Sequence, residues 1–215
     1  FGIFRKHSDA FTKGTHFMEK DEILKIFKNP PILECDRVIL RKMDRSFADD
    51  MFEYASNPAV TKYLTWDVHP NRRFSYNYLG YVNSRYRTGE FFDWAITMRD
   101  SGKMIGTCGF TRFNFSSYSA EIGFVLNPKY WGYSIAPEAA RRVIRFGFDT
   151  LELHRIEARY MENNIQSRRV MEKSGMTFEG IYRDMMLVRG QFVSVGVCSI
   201  LRSEFNRNRI MSQLL

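Results

Sequence analysis

Apolar and polar residues alternate in several segments between residues 33 and 126, and each alternation predicts a strand. Short turns separate the later segments, one of them the glycine-containing RDSGK. Consecutive strands with such short connections pair antiparallel, which predicts a meander in this part of the chain. The segments are LECDRVILRKM, which begins at Leu33, then FFDWAITM, MIGTCGFTRF and SAEIGFVL.

The period of the pattern changes to about 3.6 residues after Trp131-Gly132, which predicts a helix. Pro137 fits its first turn, because the N–H that proline lacks would make no intrahelical bond there. The apolar face is formed by Ala136, Ala140, Val143, Ile144, Gly147 and Phe148. Further helices are predicted over Arg45–Ser56 after a capping Asp44, over Asn71–Thr88, and over Asn164–Ser174 before Gly175.

The rest of the chain predicts more strands, RIEARYM and then two strands joined by a turn at Arg189-Gly190. No internal repeat or linker divides the sequence. We therefore expect a mixed α/β domain with a largely antiparallel, twisted sheet flanked by helices over residues 33–215. Residues 1–32 are interpreted as an N-terminal extension of unknown role, with one or two helical turns in DEILKIFKNPP.

Composition narrows the class of partner. The chain has 215 residues, a net charge of +8 and 15% aromatic residues, and a packed domain is expected. The charge favours anionic partners, although many soluble proteins are this basic without a dedicated one. No run of five like charges suggests a nucleic-acid arm, and no apolar run approaches the ~20 residues that span a bilayer. The three cysteines and four histidines are dispersed. We expect a cytoplasmic protein with reduced cysteines, no metal site and no membrane partner.

The stretch NPKYWGYSIAPEAARR joins a short loop to the long helix. A helix N-terminus exposes unpaired N–H groups and partial positive charge, which favour phosphate. Gly132, Ser134 and Ala136 are small enough to let a ligand approach the backbone, and three arginines follow shortly after. The loop by itself is either an ordinary turn or a cradle for a pyrophosphate.

A second motif, NIQSRRVMEKSGM, follows about forty residues later. Together with EIGFVLNPKYWGYSIAPEA it strongly resembles the GNAT superfamily of acetyl-CoA-dependent N-acyltransferases, and within it the RimJ/RimL-type ribosomal-protein N-acetyltransferases. The resemblance extends from Leu33 to Phe205. Ser134 replaces the usual second loop glycine and Met176 the usual phenylalanine. The matching residues are Trp131, Gly132, Ala136, Glu138 and Ala139 in the first motif, and Asn164, Ser167, Arg169, Val170, Glu172, Lys173 and Gly175 in the second.

The resemblance implies the GNAT fold and direct attack of a neutral amine on the thioester of acetyl-CoA, the co-substrate. A tetrahedral intermediate would form and the thiolate of CoA would leave. Serine at position 134 restricts the backbone if a positive φ is needed there, although its hydroxyl can donate to phosphate. The implied cofactor-binding residues are Val125, Leu126, Trp131, Gly132, Tyr133, Ser134, Ile135, Ala136, Asn164 and Lys173.

Two residues are candidates for catalysis. Glu121 would remove the proton of the amine through a water molecule, or would instead form a structural ion pair with Arg112 or Arg159. Ser167 would protonate the leaving thiolate, or cap its helix, or do both.

Other residues have two interpretations as well. Asn164 would bond the cofactor or a water, or serve as a turn residue. Tyr63 and Tyr182 are candidates for the wall of the acceptor cleft, although packing is the usual role of a tyrosine.

The acceptor is open at this stage. A protein N-terminal α-amine, including that of a ribosomal protein, is the first hypothesis, and a small amine such as an amino acid or antibiotic is the second. The net charge disfavours polycationic acceptors. The hypothesis of another class is a non-catalytic module associated with RNA or ribosomes, although no direct nucleic-acid contact is expected. Monomer and homodimer are both compatible with the sequence.

Overall fold

The computed structural model describes residues 17–207. Its eight strands form one sheet in the order β1-β2-β3-β4-β5-β6-β8-β7. The strands are β1 (Leu33–Glu34), β2 (Val38–Arg41), β3 (Phe92–Met98), β4 (Met104–Asn114), β5 (Ser119–Leu126), β6 (Arg155–Met161), β7 (Thr177–Val188) and β8 (Gln191–Leu201). The helices are α1 (Lys20–Lys28), α2 (Ala48–Ala55), α3 (Pro58–Thr61), α4 (Arg72–Thr88), α5 (Ile135–Asp149) and α6 (Ile165–Lys173).

The predicted mixed, largely antiparallel sheet is confirmed, because β5 and β6 form its single parallel pair within residues 17–207. A parallel pair needs a long crossover, and α5 supplies it. One strand prediction was wrong. LECDRVILRKM forms a hairpin of two short strands, because the N–H of Cys35 donates to the carbonyl of Val38 at 3.0 Å.

The helix predictions hold with changes at their ends. Asp44 accepts a hydrogen bond from Ser46 N, but the first turn is a 3₁₀ turn over Arg45–Phe47 and α2 begins at Ala48. Helix α4 has the predicted extent, with Asn71 as its N-cap. A left-handed Gly89, with φ of 75°, ends it.

Strands β5 and β6 separate along their length. They pair from Ser119 with Arg155 to Ile122 with Ala158, and no further pairing is present although β5 continues to Leu126. Backbone groups of residues 123–126 therefore face a gap on the β6 side, where a ligand can satisfy their hydrogen-bonding capacity. The opening lies where the loop into α5 begins.

The core lies on both faces of the sheet. Trp94 and Ile96 pack in the cluster that includes α5, while Ala95 between them packs in the cluster of α2 and α4, as the alternation of a strand requires. Helix α1 belongs to the first cluster. Its Phe27 is fully buried, with ring centroids 4.9 Å from Phe92 and 5.3 Å from Trp94. Part of the segment that the sequence interpretation treats as an extension thus contributes to the core of the sheet.

Candidate active site

The loop from Trp131 to Ser134 enters α5 through two left-handed residues. Gly132 has φ of 84°, and Ser134, the N-cap residue of α5, has φ of 57°. The position at which the serine departs from the family motif therefore does need a positive φ, at a cost of about 1–3 kcal/mol for a residue with a side chain. The Ser134 side chain makes no capping hydrogen bond. The first amides of α5 remain available to a ligand.

Arg37, in the turn before β2, holds this loop from outside. Its guanidinium donates to the carbonyl of Tyr133 at 2.7 Å and to that of Ser134 at 3.3 Å. The same guanidinium pairs with Glu138 in the first turn of α5 at 2.6 Å, and the Arg37 backbone N–H donates to that carboxylate at 2.8 Å. The carbonyls of Tyr133 and Ser134 therefore point toward Arg37.

A cavity of about 660 Å³ lies between this loop and α6, and we call it the loop cavity. A diphosphate fits the donors present, because the helix terminus carries free amides and Arg169 and Lys173 add positive charge. Nine of the ten predicted cofactor-binding residues line the loop cavity, which are Val125, Leu126, Trp131, Gly132, Ser134, Ile135, Ala136, Asn164 and Lys173. Tyr133 is not among them, since its side chain is exposed while Arg37 holds its carbonyl.

A second cavity of about 760 Å³ lies between the sheet and the segment around α2–α4, and we call it the aromatic cavity. The two cavities share a boundary at the diverging end of β5. The rings of Tyr54, Tyr63, Trp66, Phe74 and Tyr78 line the aromatic cavity. The shared residues are Tyr63, Leu64, Phe124, Val125, Asn164 and Ser167. A thioester in one cavity and an amine in the other would meet at this boundary.

Glu121 lines the aromatic cavity on the same face of β5 as Val125. Its carboxylate lies 3.4 Å from the guanidinium of Arg159, the ion pair that the structural interpretation expected. Arg159 also contacts Glu157 at 2.9 Å. Glu121 thus has the structural partner and faces the cavity as well, so both interpretations have support from the geometry.

Ser167 is not the cap of α6, and that part of the sequence interpretation was wrong. Asn164 is the N-cap, and its side chain accepts a hydrogen bond from Ser167 N at 3.2 Å. Asn164 therefore caps the helix, and because it also lines both cavities its bond to the cofactor stays a prediction. The Ser167 hydroxyl does not cap the helix, and Ser167 lies at the boundary of the two cavities. Of the two tyrosines proposed for the cleft, Tyr63 lines both cavities, whereas Tyr182 is exposed on β7 and lines neither.

Sequence reasoning missed two titratable groups of the aromatic cavity. Asp93 on β3 accepts a hydrogen bond from Trp94 N at 2.9 Å, and burial raises the pKa of its carboxyl to about 7. His69 bonds Ser75 through Nδ1 at 2.8 Å, and burial lowers the pKa of its imidazole. Asp93, a charged residue within a largely apolar strand, was the available signal. His69 had none, because it stands in no recognised motif, although its ring neighbours Trp66 and Phe74 are close in sequence.

Among residues 17–207, no group of three or more His, Cys, Asp or Glu side chains is placed to hold a metal ion. None of the described helices is both long and apolar enough to span a bilayer. Cys108 and Cys198 are buried, Cys35 is half-buried, and all three are free thiols.

The solved structures include acetyltransferases that share this fold. A GNAT-family acetyltransferase from Bacillus anthracis superposes with a TM-score of 0.72 at 28% identity. The match covers 80% of this chain and 99% of that one.

The sequence comparisons show the family. Residues 37–177 match the model described as an acetyltransferase (GNAT) domain, and the chain belongs to that family. An uncharacterized N-acetyltransferase, p20 of Bacillus licheniformis, is 31% identical over 173 residues, which are 80% of this chain and 97% of the relative. The [ribosomal protein uS5]-alanine N-acetyltransferase of Escherichia coli (strain K12) is 28% identical over 169 residues, 74% of this chain and 85% of the relative. The RimJ/RimL-type resemblance is confirmed, and the chain is an acetyl-CoA-dependent N-acetyltransferase.

Proposed function

We propose that this enzyme acetylates the N-terminal α-amine of a protein, with a ribosomal protein as the first candidate acceptor. The observation that carries the proposal is the aromatic cavity of about 760 Å³, which opens directly onto the cofactor side at Val125 and Ser167. Its size accommodates the first residues of a peptide in addition to a single amine. The similarity to the uS5-alanine N-acetyltransferase supports the same class of acceptor.

The residues of the chain would divide the work as follows. The α5 amides bind the diphosphate of acetyl-CoA, which supplies the activated acetyl group, and the free backbone groups of β5 orient the pantetheine arm. Glu121 accepts the amine proton through a water molecule. The Ser167 hydroxyl donates a proton to the departing sulfur, which lowers the barrier without being indispensable, because a thiol with a pKa near 8.5 is a fair leaving group.

The test is a thiol-release assay with acetyl-CoA against a panel of acceptors, followed by mass spectrometry of the products. The panel contains synthetic N-terminal peptides of ribosomal proteins, including alanine-initiated ones, the same peptides with blocked N-termini, and free amino acids. We expect turnover with the free peptides and none with the blocked ones. Turnover with free amino acids alone would contradict the proposed acceptor. Absence of thiol release with every acceptor, combined with salt-sensitive RNA binding, would favour the non-catalytic alternative.

Glu121→Gln separates the two roles of that carboxylate. A general base predicts a fall in kcat of about 100-fold or more, with an unchanged KM for acetyl-CoA. A purely structural ion pair predicts reduced stability with kcat nearly retained. Arg159→Gln is the matched control, because it breaks the same pair from the other side and leaves the carboxylate in place.

A further inference from the structure

Three carboxylates line the aromatic cavity, and two of them have cationic partners. Asp67 pairs with Arg189 at 3.0 Å and Glu121 with Arg159 at 3.4 Å. Asp93 differs, because no Lys, Arg or His among residues 17–207 forms an ion pair with it. Its hydrogen-bond donors are neutral, the Trp94 N–H and the Thr107 hydroxyl.

The position of Asp93 is deep but open to the cavity. The carboxyl lies on the cavity-facing side of β3 and keeps partial solvent access, although protein surrounds it. Across the sheet it is level with Gly109 on β4 and Gly123 on β5. A Cβ at Gly109 would approach Asp93 Oδ1 to 2.8 Å. The two glycines thus leave a strip of bare backbone between Asp93 and the end of β5 where the cavities meet.

Aromatic side chains surround Asp93, and Arg159, an arginine that lines the same cavity, is paired with Glu121 and Glu157. Burial raises the pKa of the neighbouring Tyr78 hydroxyl to about 12, so this phenol stays neutral at physiological pH. The rings of Tyr54, Trp66 and Phe74 complete the wall, and aromatic faces attract cations. A carboxylate in such a site is unfavourable without a counter-charge, and a bound ammonium group would provide one.

We propose that Asp93 binds the acceptor amine in its ammonium form on the floor of the aromatic cavity, and so selects acceptors that are cationic at the end that enters. The inference rests on the proposed acetyl transfer and adds the residue that recognises the acceptor. The negative charge of Asp93 acts locally, within a protein whose net charge is +8. The bound ammonium loses its proton in the later step assigned to Glu121.

The experiment compares two probes of the same shape, 2-phenylethylamine, which is cationic at pH 7, and 2-phenylethanol, which is neutral. Their affinities are measured by calorimetry with CoA present, so that no turnover occurs. We expect the wild-type protein to bind the amine about 10–100-fold more tightly than the alcohol, the range for a hydrogen bond to a charged group. Asp93→Asn should abolish the preference, since asparagine keeps the acceptor for Trp94 N–H and loses the charge. Asp67→Asn, in the same cavity, should keep it.

Two outcomes would overturn the inference. One is an Asp93→Asn protein that still prefers the amine, and the other is a wild-type protein that binds both probes equally or binds neither. CoA binding, measured in the same titrations, reports whether each variant is folded at the active site. Failure of the wild-type protein to bind CoA would instead contradict the proposed function, so the two failures are distinguishable.

Discussion

The contact between Arg37 and the loop before α5 provides the sharpest test of how the cofactor site is built. Arg37→Gln removes the two hydrogen bonds to the carbonyls of Tyr133 and Ser134 and the ion pair to Glu138. Ser134 is then free to leave its left-handed conformation, and the amides of the loop lose their alignment. The variant should therefore bind the diphosphate of acetyl-CoA less well.

The magnitude follows from the two carbonyl bonds. Hydrogen bonds to charged groups contribute about 1.5–3 kcal/mol each, but the Arg37 side chain is 48% exposed, which reduces each bond to about 0.5–1 kcal/mol. Loss of both costs about 1–2 kcal/mol of loop order. Since 1.4 kcal/mol corresponds to tenfold in affinity, acetyl-CoA should bind about 5–30-fold more weakly.

The assay compares acetyl-CoA with acetyl-pantetheine, which has the same thioester and lacks the diphosphate. Arg37→Gln should lower kcat/KM for acetyl-CoA by the stated factor and leave that for acetyl-pantetheine nearly unchanged. Arg99→Gln is the matched control, because Arg99 bonds Glu34 and the Cys35 carbonyl near the same hairpin without touching the loop. Equal losses with both thioesters would refute the reasoning, since they would show a general defect of the fold in place of a diphosphate-specific one.

Three further sets of substitutions have defined outcomes. Ser167→Ala should lower kcat about 10–100-fold with an unchanged melting temperature, whereas Asn164→Ala, which removes the α6 cap, should cost about 1 kcal/mol of stability in denaturant unfolding. Phe27→Ala should destabilise the domain by about 3–5 kcal/mol, and Lys25→Ala on the exposed face of α1 should not; a small effect at Phe27 would mean that α1 is dispensable. Asp93 has a folded-state pKa of about 7, above its ordinary value of 3.8, so the folded protein retains a proton that the unfolded chain loses, and stability falls as pH rises between these values. Asp93→Asn should therefore gain about 2–4 kcal/mol over the wild type at pH 8 and much less at pH 5 in urea unfolding, and equal differences at both pH values would contradict this.

The elements of the fold were predictable where one physical signal dominated. Helix α5 has a 3.6-residue apolar face that packs on the sheet, and α4 has both its cap and its terminal glycine in the sequence. The hairpin of β1 and β2 was missed because its turn at Asp36-Arg37 contains neither glycine nor proline, and the two consecutive polar residues there are a weak signal. A turn held by tertiary contacts leaves no such local mark.

The residues of the candidate site also differ in how far local sequence predicts them. Gly132, Ser134 and Asn164 act through local backbone geometry, so a motif of contiguous residues reveals them. Arg37 and Asp93 act across the fold, since Arg37 reaches a loop 96 residues later in the chain and Asp93 matters because β4 and β5 present glycines beside it. Local motifs therefore make the proposed cofactor-binding residues predictable from contiguous sequence. The proposed recognition of the acceptor by Asp93 depends on contacts that form only when the sheet is assembled, and the Asp93 experiment tests it directly.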